Sequence, residues 1–209
     1  MKTKTVLFSL LVACVISQCI SSHNSDSQKN LFDYFGQIPP KDTAELFAPG
    51  IISDTVRKAW SLAVSPNGDE VFFSRGVWPN TKIMHMKKTG DSWSLPDTAV
   101  FSRNCWAIEP AFSPDGRYLA ATLWGSNGLR VYETTNYKQI AADTHYGRGS
   151  FWVDFDSSGR LVTTCSDGHI RLYGSDFRLI QKRPAPGGKI PFGAAFSPNG
   201  QQIAIGYED

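Results

Sequence analysis

One turn phrase, repeated four times, constrains this chain more than any other feature. It reads LAVSPNGDEVFFS from Leu62, EPAFSPDGRYLAAT from Glu109, VDFDSSGRLVTTC from Val153 and AAFSPNGQQIAIG from Ala194. The turn glycines Gly68, Gly116, Gly159 and Gly200 lie 48, 43 and 41 residues apart. Each phrase encodes a β-hairpin. An apolar pair ends one strand, Pro presets the first turn position, and Asp or Asn followed by Gly supplies positions that tolerate φ > 0.

The strands between the turns follow from side-chain pattern. Short β-branched or aromatic runs at Val71, Tyr118, Leu161 and Ile203 follow each turn and form the second strand of a unit. KIMHM from Lys82, LRVYE from Leu129 and IRLYG from Ile170 alternate at period two and form the third, and the stretches around Trp93, Ile140 and Leu179 supply a fourth. No stretch of the mature chain shows sustained helical spacing, so the fold class is all-β. A period of about 40–50 residues, each unit a set of short strands, is the signature of a β-propeller blade.

Counting strands leaves the ring open. AELFAPG from Ala44 reads as one outer strand, three complete four-stranded blades follow, and AIGYED ends the sequence after two strands of another. The expected architecture is therefore about three complete blades with partial blades at each end, over residues 44–209. Propellers normally close with about 4–8 blades. An open ring exposes strand edges, so the chain reads as a piece of a longer propeller, a joined gene, or one that self-associates through its edges.

The hairpin phrase, SDGHIRLYG from Ser166 and RVYETTNYK from Arg130 resemble WD-repeat blades, with Tyr132 and Glu133 standing where that family has Trp-Asp. GDSWSLP and EPAFSPDGRYL resemble the TolB-like propeller repeats of exported bacterial proteins. Two departures qualify the WD resemblance. Gly174 replaces the acidic residue after Tyr173, and His145 lies ten residues before Phe155 where the family spacing is nine, so the family's structural hydrogen-bond network is not assigned to it.

Residues 1–19 carry Lys2, Lys4 and an apolar run from Val6 to Ile16, too short to cross a bilayer and of the length of a signal peptide's central region. LVAC resembles a bacterial lipobox, placing the cleavage before Cys14, and ISQC makes Cys19 the second candidate for lipidation. Residues 20–43 form a polar tether. The expected location is the periplasm or outer membrane as a lipoprotein, or outside the cell if the chain is plainly secreted. A membrane contact is expected only through that lipid anchor. The formal charge of +2 disappears with Lys2 and Lys4, and a neutral mature chain has no electrostatic footprint for nucleic acid.

In the propeller fold, the loops before the first strand and between the second and third strands of each blade share one rim. They carry Arg75, Trp78, Arg103, Trp106, Trp124, His145, Arg148, Trp152 and Lys189. Trp and Arg dominate binding hot spots because each offers a large contact area and a polar handle. Arg75, Trp78, Trp106, Trp124, Arg148 and Trp152 are thus the ligand-binding candidates for a protein, peptide or glycan. Blade-to-blade wedging is the alternative role for the tryptophans.

No catalytic motif appears. The four histidines show no metal-like pairing, and there is no nucleophile elbow or phosphate loop, so no catalytic residue, metal or cofactor is assigned. Cys105 and Cys165 are read as buried free thiols, with a disulfide between neighbouring blades as the alternative. The function expected is an exported, non-catalytic interaction module. The alternative is the propeller part of a hydrolase or peptidase.

Overall fold

The computed structural model describes Phe35, residues 37, 38, 40–53, 56, 58–77 and 80–208. Cys14, Cys19, the signal and most of the tether lie outside the described residues, as does Trp78. The described chain is nearly all β, with antiparallel sheets following one another in sequence order.

The first blade holds β1 (Ala59–Val64), β2 (Glu70–Val77) and β3 (Asn80–Thr89), with β4 (Ser92–Trp93) and β5 (Asp97–Thr98) both pairing with β3. The second is β6 (Ala107–Phe112), β7 (Tyr118–Leu123), β8 (Gly128–Glu133) and β9 (Gln139–Asp143). The third is β10 (Ser150–Phe155), β11 (Leu161–Cys165), β12 (His169–Tyr173) and β13 (Leu179–Pro184). A two-stranded sheet, β14 (Pro191–Phe196) and β15 (Ile203–Tyr207), ends the row. The first strands β1, β6, β10 and β14 pack side by side in that order, which makes them the inner strands of an incomplete propeller.

The four turn phrases form one repeated hairpin. Gly68, Gly116, Gly159 and Gly200 adopt φ of 75, 70, 81 and 66°, and each donates its N–H to the carbonyl three residues back, at Ser65, Ser113, Asp156 and Ser197. Only the glycine takes positive φ; the Asn or Asp before it does not. Instead Asp115 and Asn199 use a side-chain oxygen to accept the N–H two residues on, from Arg117 and Gln201. The short polar side chain substitutes for a backbone acceptor.

Each inner strand also carries a bulge near its start. In β1 and β6 the extra residue is Ser61 or Glu109, at φ 53 and 51°, whereas in β10 and β14 it is Phe151 or Phe192, one position earlier relative to the turn. The first two blades thus differ from the last two in inner-strand geometry.

Alternation along the strands gives every blade two apolar faces. Phe72, Ile83 and Ala63 of the first blade meet Leu119, Ala121 and Tyr132 of the second. Ala120, Leu129 and Val131 of the second meet Val153, Phe155, Leu161 and Tyr173 of the third. An aromatic residue in the turn after each third strand ties its blade to the one before. Tyr137, at φ 55°, packs on Phe72 and donates to Glu70, while Phe177, at φ 62°, packs edge-on against Tyr118 at 5.0 Å.

The segment containing Ala44 is not a strand. Residues 47–53 form tight turns with a single bridge between Pro49 and Ser53, because Pro49-Gly50 breaks the extended run. Ala48 and Ile52 bury themselves against Val71, Phe73 and Met86, on the face of the first blade turned away from the second. Phe35 adds to this cover by packing on Phe47 and Trp93. The first blade therefore has both faces covered.

Candidate functional site

The rim expected from the sequence gathers where the inner strands begin. Trp124 follows β7 and donates its backbone N–H to the Trp106 carbonyl at 2.9 Å, which places the two tryptophans at one end of the second blade. The Trp124 indole reaches over to the third blade. It packs on Phe151 at 5.8 Å between ring centroids, and Phe151 packs on Phe192 of the last sheet at 5.0 Å. Gly149 makes this approach feasible, because a Cβ there would collide with the Trp124 ring. The result is an aromatic ledge crossing three blades.

Exposure separates the predicted residues. Trp106 is 44 % exposed and Phe192 39 %, Arg148 stands in solvent, and Trp124 and Trp152 are half-buried. Arg75 is not on the open rim. Its position on β2 turns it towards the N-terminal segment, where it is 7 % exposed, lies over the Phe73 ring and donates to the carbonyls of Ile51 and Ile52. It fastens the cover of the first blade.

The loop that carries His145 and Arg148 is fixed from beneath by a buried polar network. The Tyr146 hydroxyl lies 2.7 Å from Thr163 Oγ1 and 2.8 Å from the Tyr173 hydroxyl, and Tyr173 donates to Asp143 at 2.8 Å. Tyr146 stands nine residues before Phe155, the spacing at which the WD family has its histidine. Tyrosine stands in that place, and its hydroxyl bonds Thr163 and Tyr173. Burial raises the pKa of both phenols well above the usual tyrosine range, so they serve as neutral donors and acceptors.

Arg171, fully buried on β12, lies 3.9 Å over the Tyr146 ring and donates to Asp167 at 2.6 Å and to the His145 carbonyl at 3.1 Å. Burial opposes the charge of Asp167, but the hydrogen bond and charge of Arg171, with the Cys165 thiol and the Gly147 N–H, together outweigh it and hold the carboxyl far below the usual range. The two charges are thus mutually neutralised. The His145 side chain is 95 % exposed and lies 3.2 Å from Asp143, so it contributes no buried chemistry.

Cys105 and Cys165 are free thiols. Cys165 donates to the Arg148 carbonyl at 3.4 Å, and burial pushes its thiol up to about 11. Cys105 is likewise raised by burial and donates to the Phe101 carbonyl. At Cys105 the nearby cations Lys82 and Arg130 favour a thiolate, but burial outweighs them, so neither thiol is activated. Among the described residues, no three His, Cys, Asp or Glu side chains assemble as a metal site requires.

The most perturbed carboxyl lies between the first two blades. Glu109 is fully buried, its acid group raised by burial to about 8 and offset only in part by the hydroxyl of Ser61, which donates to it. Its own N–H donates to Ser74 Oγ at 3.3 Å. The bulge turns this residue into the blade interface and away from the rim. In sequence it is indistinguishable from an exposed loop acid.

Residues 144–174, from the loop before β10 to the end of the third strand, match the family model for the WD domain, G-beta repeat. They span the Tyr146, Thr163, Asp167 and Tyr173 network. No curated protein matches the chain. Together the family match and the run of four-stranded antiparallel sheets support a WD-repeat, propeller-like protein.

Proposed function

We propose that this protein is an exported interaction module, held to the cell envelope through a lipid on Cys14 or Cys19, that binds a protein, peptide or glycan partner with the Trp124–Phe151–Phe192 ledge and its neighbours Trp106 and Arg148. The observation that carries the reading is the ledge itself. Three aromatic rings in contact run across three blades beside an exposed Trp106 and an exposed Arg148. Such rings cover a large area with few rotatable bonds, and the cation supplies direction, which is how binding hot spots are built.

The test separates the exposed residues from the supporting ones. Replacing Trp106 and Arg148 by alanine should abolish capture of partners from an envelope extract while the circular dichroism spectrum stays unchanged. Unaltered capture rejects the rim. Mass spectrometry of the mature N-terminus tests the anchor, and an unlipidated terminus beyond Cys19 rejects it.

A further inference from the structure

The tight turns at the end of the blades opposite the rim meet their neighbours in two places and part in a third. Gly116 of the second turn lies so close to the Pro66 ring of the first that a Cβ on it would stand 3.4 Å away. Arg160 of the third turn donates to the Gly200 carbonyl of the fourth. Between the second and third turns there is no such contact. The nearest group to a Cβ built on Gly159 is Ser175 of its own blade, at 3.6 Å, and no atom of the second blade comes within 4 Å. Two sequence differences produce the gap. Ser157 stands where the other turns have Pro66, Pro114 and Pro198, and Tyr118 stands where the first blade has Glu70, so the Tyr118 and Phe177 rings wedge into this joint edge to face.

The gap is a cavity of about 340 Å³, within the size range of small-ligand sites. Its walls belong to the second and third blades alone, with Asp115, Arg117 and Tyr118 on one side and Ser157, Ser175 and Phe177 on the other. Charge is balanced there. Arg117 donates to Asp115 at 2.7 Å, which sets a strong donor and a strong acceptor side by side. Hydroxyls are in surplus, since those of Tyr118, Ser157 and Ser175 have no hydrogen-bond partner among the described residues. The Tyr118 and Phe177 rings, 5.0 Å apart, add apolar surface, and the Arg117 guanidinium lies 5.3 Å over the tyrosine ring.

We infer that this cavity binds a neutral hexose unit, free or at the end of a glycan chain. A sugar ring carries both characters that the walls offer. Its neighbouring hydroxyls bridge the Asp115 carboxylate and the Arg117 guanidinium and meet the unpartnered serine hydroxyls, while its C–H face rests against the Tyr118 and Phe177 rings. An anion gains less, because Arg117 is already neutralised and Asp115 repels it. An apolar ligand would strip water from the charged pair and the hydroxyls without replacing it. The site lies at the opposite end of the blades from the aromatic ledge and does not depend on it.

The test uses the full chain and saturation-transfer NMR with the methyl glycosides of glucose, galactose, mannose and N-acetylglucosamine. At least one should bind saturably, with the strongest transfer to the C–H protons of one ring face. Arg117→Met, which keeps the stem but not the charge, and Ser157→Leu, which fills the cavity, should each weaken binding about tenfold or more. Both positions are exposed, so the unfolding midpoint should stay where it is. Tyr118→Phe should weaken binding several-fold. An immobilised polysaccharide of the same sugar tells a chain end from a free sugar, and its binding too should be lost in Ser157→Leu. A panel in which no sugar binds overturns the inference, as does glucuronate or glucose 6-phosphate binding more tightly than the neutral sugar. Binding that survives Ser157→Leu and is lost in Trp106→Ala also overturns it, and assigns the sugar to the ledge.

Discussion

The joint between the first and second blades and the joint between the second and third use the same backbone device with opposite chemistry. In both, an aromatic residue at positive φ reaches back to the first residue of the previous blade's second strand. At the first joint that residue is Glu70, which accepts from Tyr137 and from Lys87 at 2.6 Å and lies 3.4 Å from His85. At the second it is Tyr118, met by Phe177, and the polar contacts between the blades run through Tyr173 and Asp143. One joint is held by groups that titrate, the other mainly by phenols and rings. Equal geometry therefore does not give equal response to conditions.

Three measurements can break or sharpen this contrast. The largest effect is expected from Tyr173→Ala, which removes a fully buried ring and one of the two hydrogen-bond partners of the Tyr146 hydroxyl. The lost ring and its hydrogen bond to Asp143 should cost roughly 3–5 kcal/mol in denaturant unfolding, and nearly the same at pH 5 and pH 8. A cost that varied strongly over that range would remove the distinction between the joints.

Next comes Glu109. Its folded-state pKa is raised from 4.5 to about 8, so the unfolded chain gives up this proton first. The group's contribution to stability is full below pH 4.5 and is lost as pH rises to about 8, amounting to roughly 4 kcal/mol over the interval. Glu109→Gln should flatten that fall in a thermal melt series, while a wild-type profile already flat between those limits would contradict the burial argument.

The smallest effect belongs to Tyr137→Phe. Removing its hydroxyl from Glu70 should cost about 1 kcal/mol at neutral pH. Burial raises the pKa of Glu70, but the interactions with His85 and Lys87 together prevail and hold it below 4.5. That stabilisation is thus present above pH 4.5 and lost as the pH falls through the lowered folded value. Comparing urea unfolding of Tyr137→Phe with the parent at neutral and acidic pH checks this, since the difference between them should shrink in acid.

The blades were readable in the sequence because their signals are local. A turn such as Ser113-Pro114-Asp115-Gly116 announces itself in four residues, and strand alternation follows on either side. What escaped depends on register or on distant partners. Arg75 sits in the same stretch as the rim residues, yet alternation along β2 points it at Ile51 and Ile52. The structural network was hidden because Tyr146 fills a position where family spacing directs attention to histidine. Tyr137 and Phe177 carried a weak signal, an aromatic shortly after the third strand, that gains meaning only when the previous blade is beside it. Of the candidate site, Trp106, Trp124 and Arg148 were legible as loop residues, but Phe151 and Phe192 looked like ordinary strand apolars until the bulges showed where the ledge runs.

The cover over the first blade acts as a stopper. Ala48 and Ile52 already occupy the surface on which an additional sheet approaching from that side would have to rest, with Arg75 clamping the carbonyls behind them. A newcomer there must first dislodge this plug, so that face of the blade is sealed by a short turn segment and one buried cation rather than by a neighbouring sheet.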